Sequence, residues 1–185
     1  MNTRDDSLVR PARESDAEGI ARVHIESTRD AYAPLAKVWP TPDWEGKKTF
    51  WEGHLAPRQT DPRRVDLVAE APGSVVGFIS GGEARQAGVG AEVEIYVIHV
   101  LPQYRGSGIG GRLWREACGR IRGESLCAMY VATLAELRCC AFYERRGGVS
   151  ARRSPRMFHG APATDVIYLW DKGRSHEAMP DVRSS

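Results

Sequence analysis

Nine residues, Gln103-Tyr104-Arg105-Gly106-Ser107-Gly108-Ile109-Gly110-Gly111, join a long apolar run to an amphipathic pattern through four glycines and one arginine. Glycine accepts positive φ and lets backbone N–H groups approach a ligand closely, and the first turn of a following helix adds unpaired donors and the positive end of its dipole. The segment therefore predicts a strand, an anion-cradling loop and a helix, with room for a pyrophosphate.

Two glycine patterns share these residues. Gly106, Gly108 and Gly111 satisfy the GxGxxG spacing of dinucleotide-binding proteins. That pattern wants its first glycine directly after the strand, whereas Leu101 to Arg105 intervene after Val100. It also wants an acidic residue at the end of the next strand, about 20 residues on. Glu124 comes before the next apolar run, which starts at Leu126, and Glu136 comes too late. The motif lies past the midpoint of the chain, leaving too little sequence for a doubly wound sheet. A P-loop is excluded because no Lys-Ser/Thr follows the glycines.

Read as Arg105-Gly-Ser-Gly108-Ile-Gly110, the loop has the R/Q-x-x-G-x-G/A form and resembles the GNAT acyltransferases. A second motif, Ala141-Phe142-Tyr143-Glu144-Arg145-Arg146-Gly147-Gly148, is similar to that family's A-x-x-FYE-x-x-GF segment, in the right order. The opening Val9-Arg10-Pro11-Ala12 and the helix segment Arg22-Val23-His24-Ile25-Glu26-Ser27 also resemble family forms. There are departures: Glu136 stands for a common Asn, Cys139 for a small alanine, and Gly148 for the usual aromatic. The missing Asn bears on one hydrogen bond near a pantetheine arm and leaves the phosphate loop intact.

The run of elements supports the same fold class. Ser15-Asp16-Ala17-Glu18 has the form of a capping box, and Ile20, Val23, His24, Ser27 and Ala31 recur at helical spacing after it. A segment rich in Pro and Trp follows, with a short helix from about Glu45 to Leu55, and is expected to wall an acceptor pocket. Val65 to Glu70 and Val75 to Gly81 read as a hairpin, Arg85 to Gly90 as an exposed turn, and Ala91 to Val100 as a strand. Ile109, Leu113, Ala117 and Ile121 mark a helix ending near Gly123. Leu126 to Thr133 reads as a strand, Leu134 to Arg146 as a helix closed by Gly147-Gly148, and Val166 to Trp170 as a last strand. The expected fold is α/β: a GNAT-like mixed, mostly antiparallel sheet with a central parallel strand pair, flanked by helices. One domain is expected over 1–173, and 174–185 is expected to be a disordered polar tail.

At 185 residues the chain can bury a real core as one domain. With 26 Lys and Arg against 24 Asp and Glu, its charge of +2 gives no reason to expect nucleic acid or a membrane as partner. Arg145, Arg146, Arg152, Arg153 and Arg156 cluster in sequence and read as a solvated helix end and loop. There is no apolar h-region at the amino terminus and no run near the ~18 apolar residues of a span, so a cytoplasmic location is expected. Cys118, Cys127, Cys139 and Cys140 lack zinc-ligand spacing, so no metal site is expected; they read as reduced packing residues, with a redox role for the adjacent pair as the minor alternative.

The GNAT resemblance implies an N-acetyltransferase using acetyl-CoA as co-substrate and passing its acetyl group to a primary amine, on a small molecule or a peptide, by direct attack. It implies a pyrophosphate on Arg105, Gly106, Ser107, Gly108, Ile109, Gly110 and Gly111, and pantetheine along Ile98, His99 and Val100, one of whose N–H groups would meet the thioester oxygen. A homodimer is also plausible on that resemblance. Glu94 falls on the position of the catalytic glutamate of histone-type members and is the candidate base. Burial among apolar neighbours would raise its pKa toward neutrality; the alternative is an exposed or salt-bridged strand carboxylate. Tyr143 is the candidate acid for the departing thiolate, against a buried tyrosine with a backbone partner. His99 could be a base, but strand alternation turns it opposite Ile98 unless a bulge intervenes, which favours packing or a surface position. Arg29, Tyr32, Trp39 and Trp44 are candidate acceptor contacts, with aromatic core or lid packing as the alternative. The competing function is a non-enzymatic acyl-CoA-binding or interaction module, with a dinucleotide-dependent oxidoreductase further behind.

Overall fold

The computed structural model of the chain describes residues 7–33, 43–56, 63–124 and 127–171. Strands are β1 (Leu8–Pro11), β2 (Val65–Ala71), β3 (Ser74–Glu83), β4 (Val93–Val100), β5 (Met129–Leu134), β6 (Val149–Phe158) and β7 (Ala161–Trp170). Helices are α1 (Ala17–Ala31), α2 (Trp44–Leu55), α3 (Ile109–Glu124) and α4 (Cys140–Glu144). The strands form one sheet in the order β1-β2-β3-β4-β5-β7-β6. Every pair is antiparallel except β4 with β5. The expected mixed sheet with a central parallel pair is therefore present.

Local chemistry explains the joins. Pro72-Gly73 closes the β2–β3 hairpin, with Gly73 at φ 72°, the left-handed value that the residue after proline takes in a type II turn. Three glycines of β3 let β4 come close: a β-carbon at Gly81 would stand 2.8 Å from the carbonyl oxygen of Glu94. Next to it the register shifts between Ser80 and Gly81, so that Tyr96 is the extra residue of a bulge in β4. The apolar faces of the sheet are covered on both sides. α1 and α2 pack His24 and Trp51 against Phe78, while α3 brings Ile109 against Gly77. Ile20, Val23, Leu67, Ile79, Ile95 and Leu113 are buried in this core, each contributing roughly 1.5–3 kcal/mol by leaving water.

Three expectations need correction. Ser15 does not cap α1. Asp16 is the N-cap residue, and its carboxylate is taken up by the Arg13 N–H at 2.7 Å and by both terminal nitrogens of Arg10 at 2.7 and 2.9 Å. The helix expected from Leu134 to Arg146 is only α4, because β5 runs on through Leu134 and turns occupy 135–139. Finally, Arg152, Arg153 and Arg156 lie on β6, an edge strand paired with β7, and not in a loop. That strand is exposed almost throughout, so it carries no apolar alternation to reveal it. Trp39 and the tail 174–185 lie outside the described residues.

Candidate active site

The glycine loop leaves β4 through Leu101, whose N–H bonds Val76 O at 2.9 Å, and a 3-10 turn over Pro102–Tyr104. Gly106 and Gly108 then take φ values of 78° and 85°, where a side chain would be strained. Among the described residues the N–H groups of Gly108, Ile109, Gly110 and Gly111 donate to no backbone carbonyl, and the first intrahelical bond runs from Arg112 N to Gly108 O. These donors and the helix dipole face one cleft, which Arg105, Arg115, Arg145 and Arg146 also border. The donor set fits a pyrophosphate. Arg105 also ties the loop to its surroundings, bonding Val100 O through Nε at 3.2 Å and Asp30 through Nη1.

The cleft continues along β4. β4 and β5 pair only at Val93–Met129 and Glu94–Tyr130, and then part. Because Leu101 N–H and the register of His99 on Phe78 face β3, alternation turns the N–H groups of Ile98 and Val100 into the gap. Val100 O, on the same edge, accepts from Ser27 Oγ at 3.1 Å. The gap therefore offers an unpaired strand edge beside the anion cradle, which is what an extended ligand needs to add itself as a strand.

Glu94 marks the closed end of this gap, and its chemistry differs from expectation. It is 3% exposed and does not border the cleft. Its carboxylate accepts from Arg85 Nη2 at 2.6 Å, Arg85 Nε at 3.0 Å, Arg85 N at 3.2 Å and Tyr130 Oη at 2.6 Å. Burial alone would raise its pKa, but the bonds from Arg85 and Tyr130 outweigh that and hold it below the usual carboxylate range. The expected upward shift is thus reversed, and the salt-bridged alternative describes Glu94. The same cluster fixes the point at which the two strands part, since Tyr130 Oη also receives Gln86 N at 3.1 Å.

On the α3–α4 side, Phe142 and Tyr143 both border the cleft. Phe142 lies against Gly110 and edge-on to Trp114, with the Arg146 guanidinium 3.6 Å over its ring. Tyr143 is 5% exposed among Trp114, Tyr168 and Trp170. Burial pushes its pKa well up, and its hydroxyl has no side-chain partner among the described residues. A neutral hydroxyl with its proton uncommitted at a cleft wall can serve as a donor. The departures from the family pattern also find their reasons here. Trp170 fills the space beside Gly148, where a β-carbon would stand 2.7 Å from its ring. Glu136 accepts from Thr164 N at 2.9 Å and does not border the cleft. All four cysteines are unbridged.

The opposite wall is built by α1, α2 and the face of β3–β4 that carries Phe78, Ser80 and His99. His99 packs 5.2 Å from His24 and 5.8 Å from Phe78, with Nε2 3.4 Å from Thr28 Oγ1. His24 accepts from Trp51 Nε1 at 3.2 Å. Burial lowers the pKa of His24 to about 4 and that of His99 to about 3, with the positive charge of Lys47 adding to both. Tyr32 borders the cleft, stacked on Phe158 at 5.8 Å, whereas Arg29 and Trp44 do not border it. His54, Asp66 and Ser80, absent from the sequence-based candidates, form a hydrogen-bonded group here. Their signal was an Asp in the apolar strand run Val65-Asp66-Leu67-Val68 and a Ser in Phe78-Ile79-Ser80. The whole cleft is about 2350 Å³, beyond the roughly 300–1,000 Å³ of a single small-ligand pocket.

The sequence model of the acetyltransferase (GNAT) family matches residues 26–148. YuaI, an uncharacterized N-acetyltransferase of Bacillus subtilis, is 25% identical over 136 residues, covering 74% of this chain and 76% of that protein. The fold is shared with YncA from Salmonella typhimurium, solved with its cofactor acetyl-CoA, at a TM-score of 0.67 and 19% identity over 97% of this chain and 100% of that one. It is shared as well with the ribosomal-protein-alanine N-acetyltransferase of Brucella melitensis, at a TM-score of 0.68 and 20% identity over 89% and 99%. At those identities the likeness of the two solved structures is one of fold. Among the described residues no helix is long and apolar enough to cross a membrane.

Proposed function

The chain belongs to the acetyltransferase (GNAT) family, and from that premise we propose that it transfers the acetyl group of acetyl-CoA to a primary amine by direct attack within a ternary complex. The observation that carries this reading is the continuity of the anion cradle at Gly106–Gly111 with the unpaired β4 edge at Ile98 and Val100. When bound, acetyl-CoA supplies an activated thioester. The loop N–H groups and Arg105 would hold its pyrophosphate, and the strand edge its pantetheine arm. An N–H of Ile98 or Val100 would then donate to the carbonyl oxygen as it gains charge, the contribution on which acyl transfer depends most. Tyr143 would donate a proton to the departing sulfur. Glu94, held ionised by Arg85, is assigned the support of the strand junction in place of the expected base role.

The amine would enter from the wall of His24, Trp51, Phe50 and Tyr32, a mixed aromatic and imidazole surface. Thiol release from acetyl-CoA, measured with and without a panel of polyamines, amino acids and peptide amino termini, tests the reading. Release that requires one class of amine is expected. Tight acetyl-CoA binding with no release across the panel would favour a binding module.

A further inference from the structure

Three imidazoles border the acceptor wall of the cleft, and their surroundings separate them. His24 and His99 are buried against each other and against Phe78, with no carboxylate bonded to either ring among the described residues. Kept neutral, with pKa values near 4 and 3, they gain little by taking a proton from an ammonium group at neutral pH.

His54, in the last turn of α2, is placed differently. Its Nε2 lies 2.9 Å from Asp66 Oδ1, and Ser80 Oγ donates to that oxygen at 2.7 Å. Arg64 Nε bonds Asp66 Oδ2 at 2.6 Å, and Arg64 Nη2 donates to the carbonyl of His54 itself. Burial alone would raise the Asp66 pKa, but the bonds from His54, Ser80 and Arg64 hold it below the usual range, so a carboxylate stands beside the ring. Asp66 and Ser80 are opposite each other across β2 and β3, and Ser80 is opposite Val97 of β4, beside the bulge and one strand from the gap. The other charged side chain bordering the cleft from α2 is Lys47, and Ser80 is the group facing His54 from β3. Trp51 and Phe50 close on the ring at 5.1 and 5.8 Å. All hydrogen-bond contacts of the imidazole among the described residues run through Nε2. With that nitrogen donating to Asp66, the lone pair is on Nδ1.

We propose that His54 is the base that takes the proton of the incoming ammonium, directly or through one water, with Asp66 as the positioning residue that fixes the tautomer and balances the imidazolium. The assignment rests on the acetyltransferase reading above. Nδ1 removes one proton from the ammonium nitrogen, and the freed lone pair forms the N–C bond at the thioester carbon. As the C–S bond breaks, sulfur keeps the electron pair and is protonated by Tyr143, which recovers a proton from the acylated nitrogen. The proton on His54 leaves to solvent. The step is an oriented imidazole–carboxylate dyad at work, in the sense familiar from acyl-transfer sites.

The test compares two acceptors in the intact enzyme: the alkylamine that performs best in the panel, protonated at neutral pH, and methoxyamine, which is already unprotonated there. His54→Gln should lower kcat/KM about 10²-fold for the alkylamine and less than about threefold for methoxyamine. Without the base, turnover of the alkylamine should follow the fraction of unprotonated amine and rise with pH throughout the neutral range. Asp66→Asn should lower the alkylamine value and spare methoxyamine in the same way, since the ring loses the acceptor that fixes its tautomer. Because the ratio of the two acceptors does not depend on how much variant is folded, poor folding cannot imitate the result. Equal losses on both acceptors, or an alkylamine loss under about threefold, would overturn the base assignment while leaving the acetyltransferase standing. Wild-type protein that releases no thiol with any amine would overturn the acetyltransferase reading and this assignment with it.

Discussion

Gly110, in the first turn of α3, meets Phe142 of α4: a β-carbon at Gly110 would stand 3.2 Å from Cε2 of the Phe142 ring. The two conspicuous motifs of the chain are therefore in contact, and this glycine is required by packing, unlike Gly106 and Gly108, whose positive φ requires them. Gly110→Val should displace the ring from Trp114 and cost about 1–3 kcal/mol of stability, the usual penalty of overpacking. Chemical denaturation of the two proteins reads that difference. A variant as stable as the wild type would mean that α4 is not held by this contact.

Tyr143→Phe keeps the ring packing against Trp114 and Trp170 and removes only the hydroxyl. The expected outcome is turnover lowered by about 10²-fold, the lower range for a proton-transfer group, with acetyl-CoA affinity retained. Steady-state kinetics and equilibrium binding separate the two effects. Equal turnover by both proteins would defeat the acid assignment.

Glu94→Gln removes the charge that Arg85 and Tyr130 surround, and the loss should fall on stability. A decrease of about 1–3 kcal/mol is expected, the cost of spoiling a buried charged hydrogen-bond group. The acid side of the rate profile should keep its shape. If that side disappeared in Glu94→Gln while stability held, the carboxylate would be the base after all.

His24 and His99 make a further prediction about pH. Their folded pKa values, about 4 and about 3, lie below the ordinary histidine value near 6.5, so below that value the unfolded chain binds protons that the folded one refuses. Stability from these residues is full above about pH 6.5 and falls as pH drops toward the folded values. Between pH 7 and pH 5 the loss is roughly 2 kcal/mol for each histidine. The carboxylates of Asp16, Asp66 and Glu94, whose pKa values are lowered, add their own loss only at more acid pH. Urea unfolding at pH 7 and pH 5 measures the slope, and His99→Phe should remove about half of it. A flat response in the wild type would show that both rings are hydrated.

Much of the fold was legible because its signals are local. The Pro72-Gly73 hairpin, the periodic face of α3 and the glycine loop each depend on a few neighbouring residues. β6 was not legible, because an exposed edge strand has no inward face to write an alternating pattern, and Pro155 within it further disguises it. Its turn at His159-Gly160, with φ values of 47° and 86°, lacks the Asn-Gly or Asp-Gly that usually marks such a hairpin. The glycine loop was read from spacing, but the partners of Glu94 were not. Whether Glu94 is desolvated or saturated with hydrogen bonds depends on Arg85, which the β3–β4 turn carries back to it, and on Tyr130 in the neighbouring strand. His54, Asp66 and Ser80 come from three elements and meet only through the register of β2 on β3 and the seat of α2 above them.

The proposed acetyl transfer depends on Gly106 to Gly111 holding the pyrophosphate of acetyl-CoA. Calorimetric titration with acetyl-CoA, CoA and NAD(P)H tests it most directly, comparing the wild type with Gly108→Glu. That variant puts a carboxylate and a strained left-handed residue into the loop, so a thermal melt of each protein accompanies the titration. Selective binding of acetyl-CoA and CoA, lost in a folded Gly108→Glu variant, is the predicted result. NAD(P)H binding without CoA binding, or a folded variant that binds acetyl-CoA as tightly as the wild type, would rule out pyrophosphate binding at this loop.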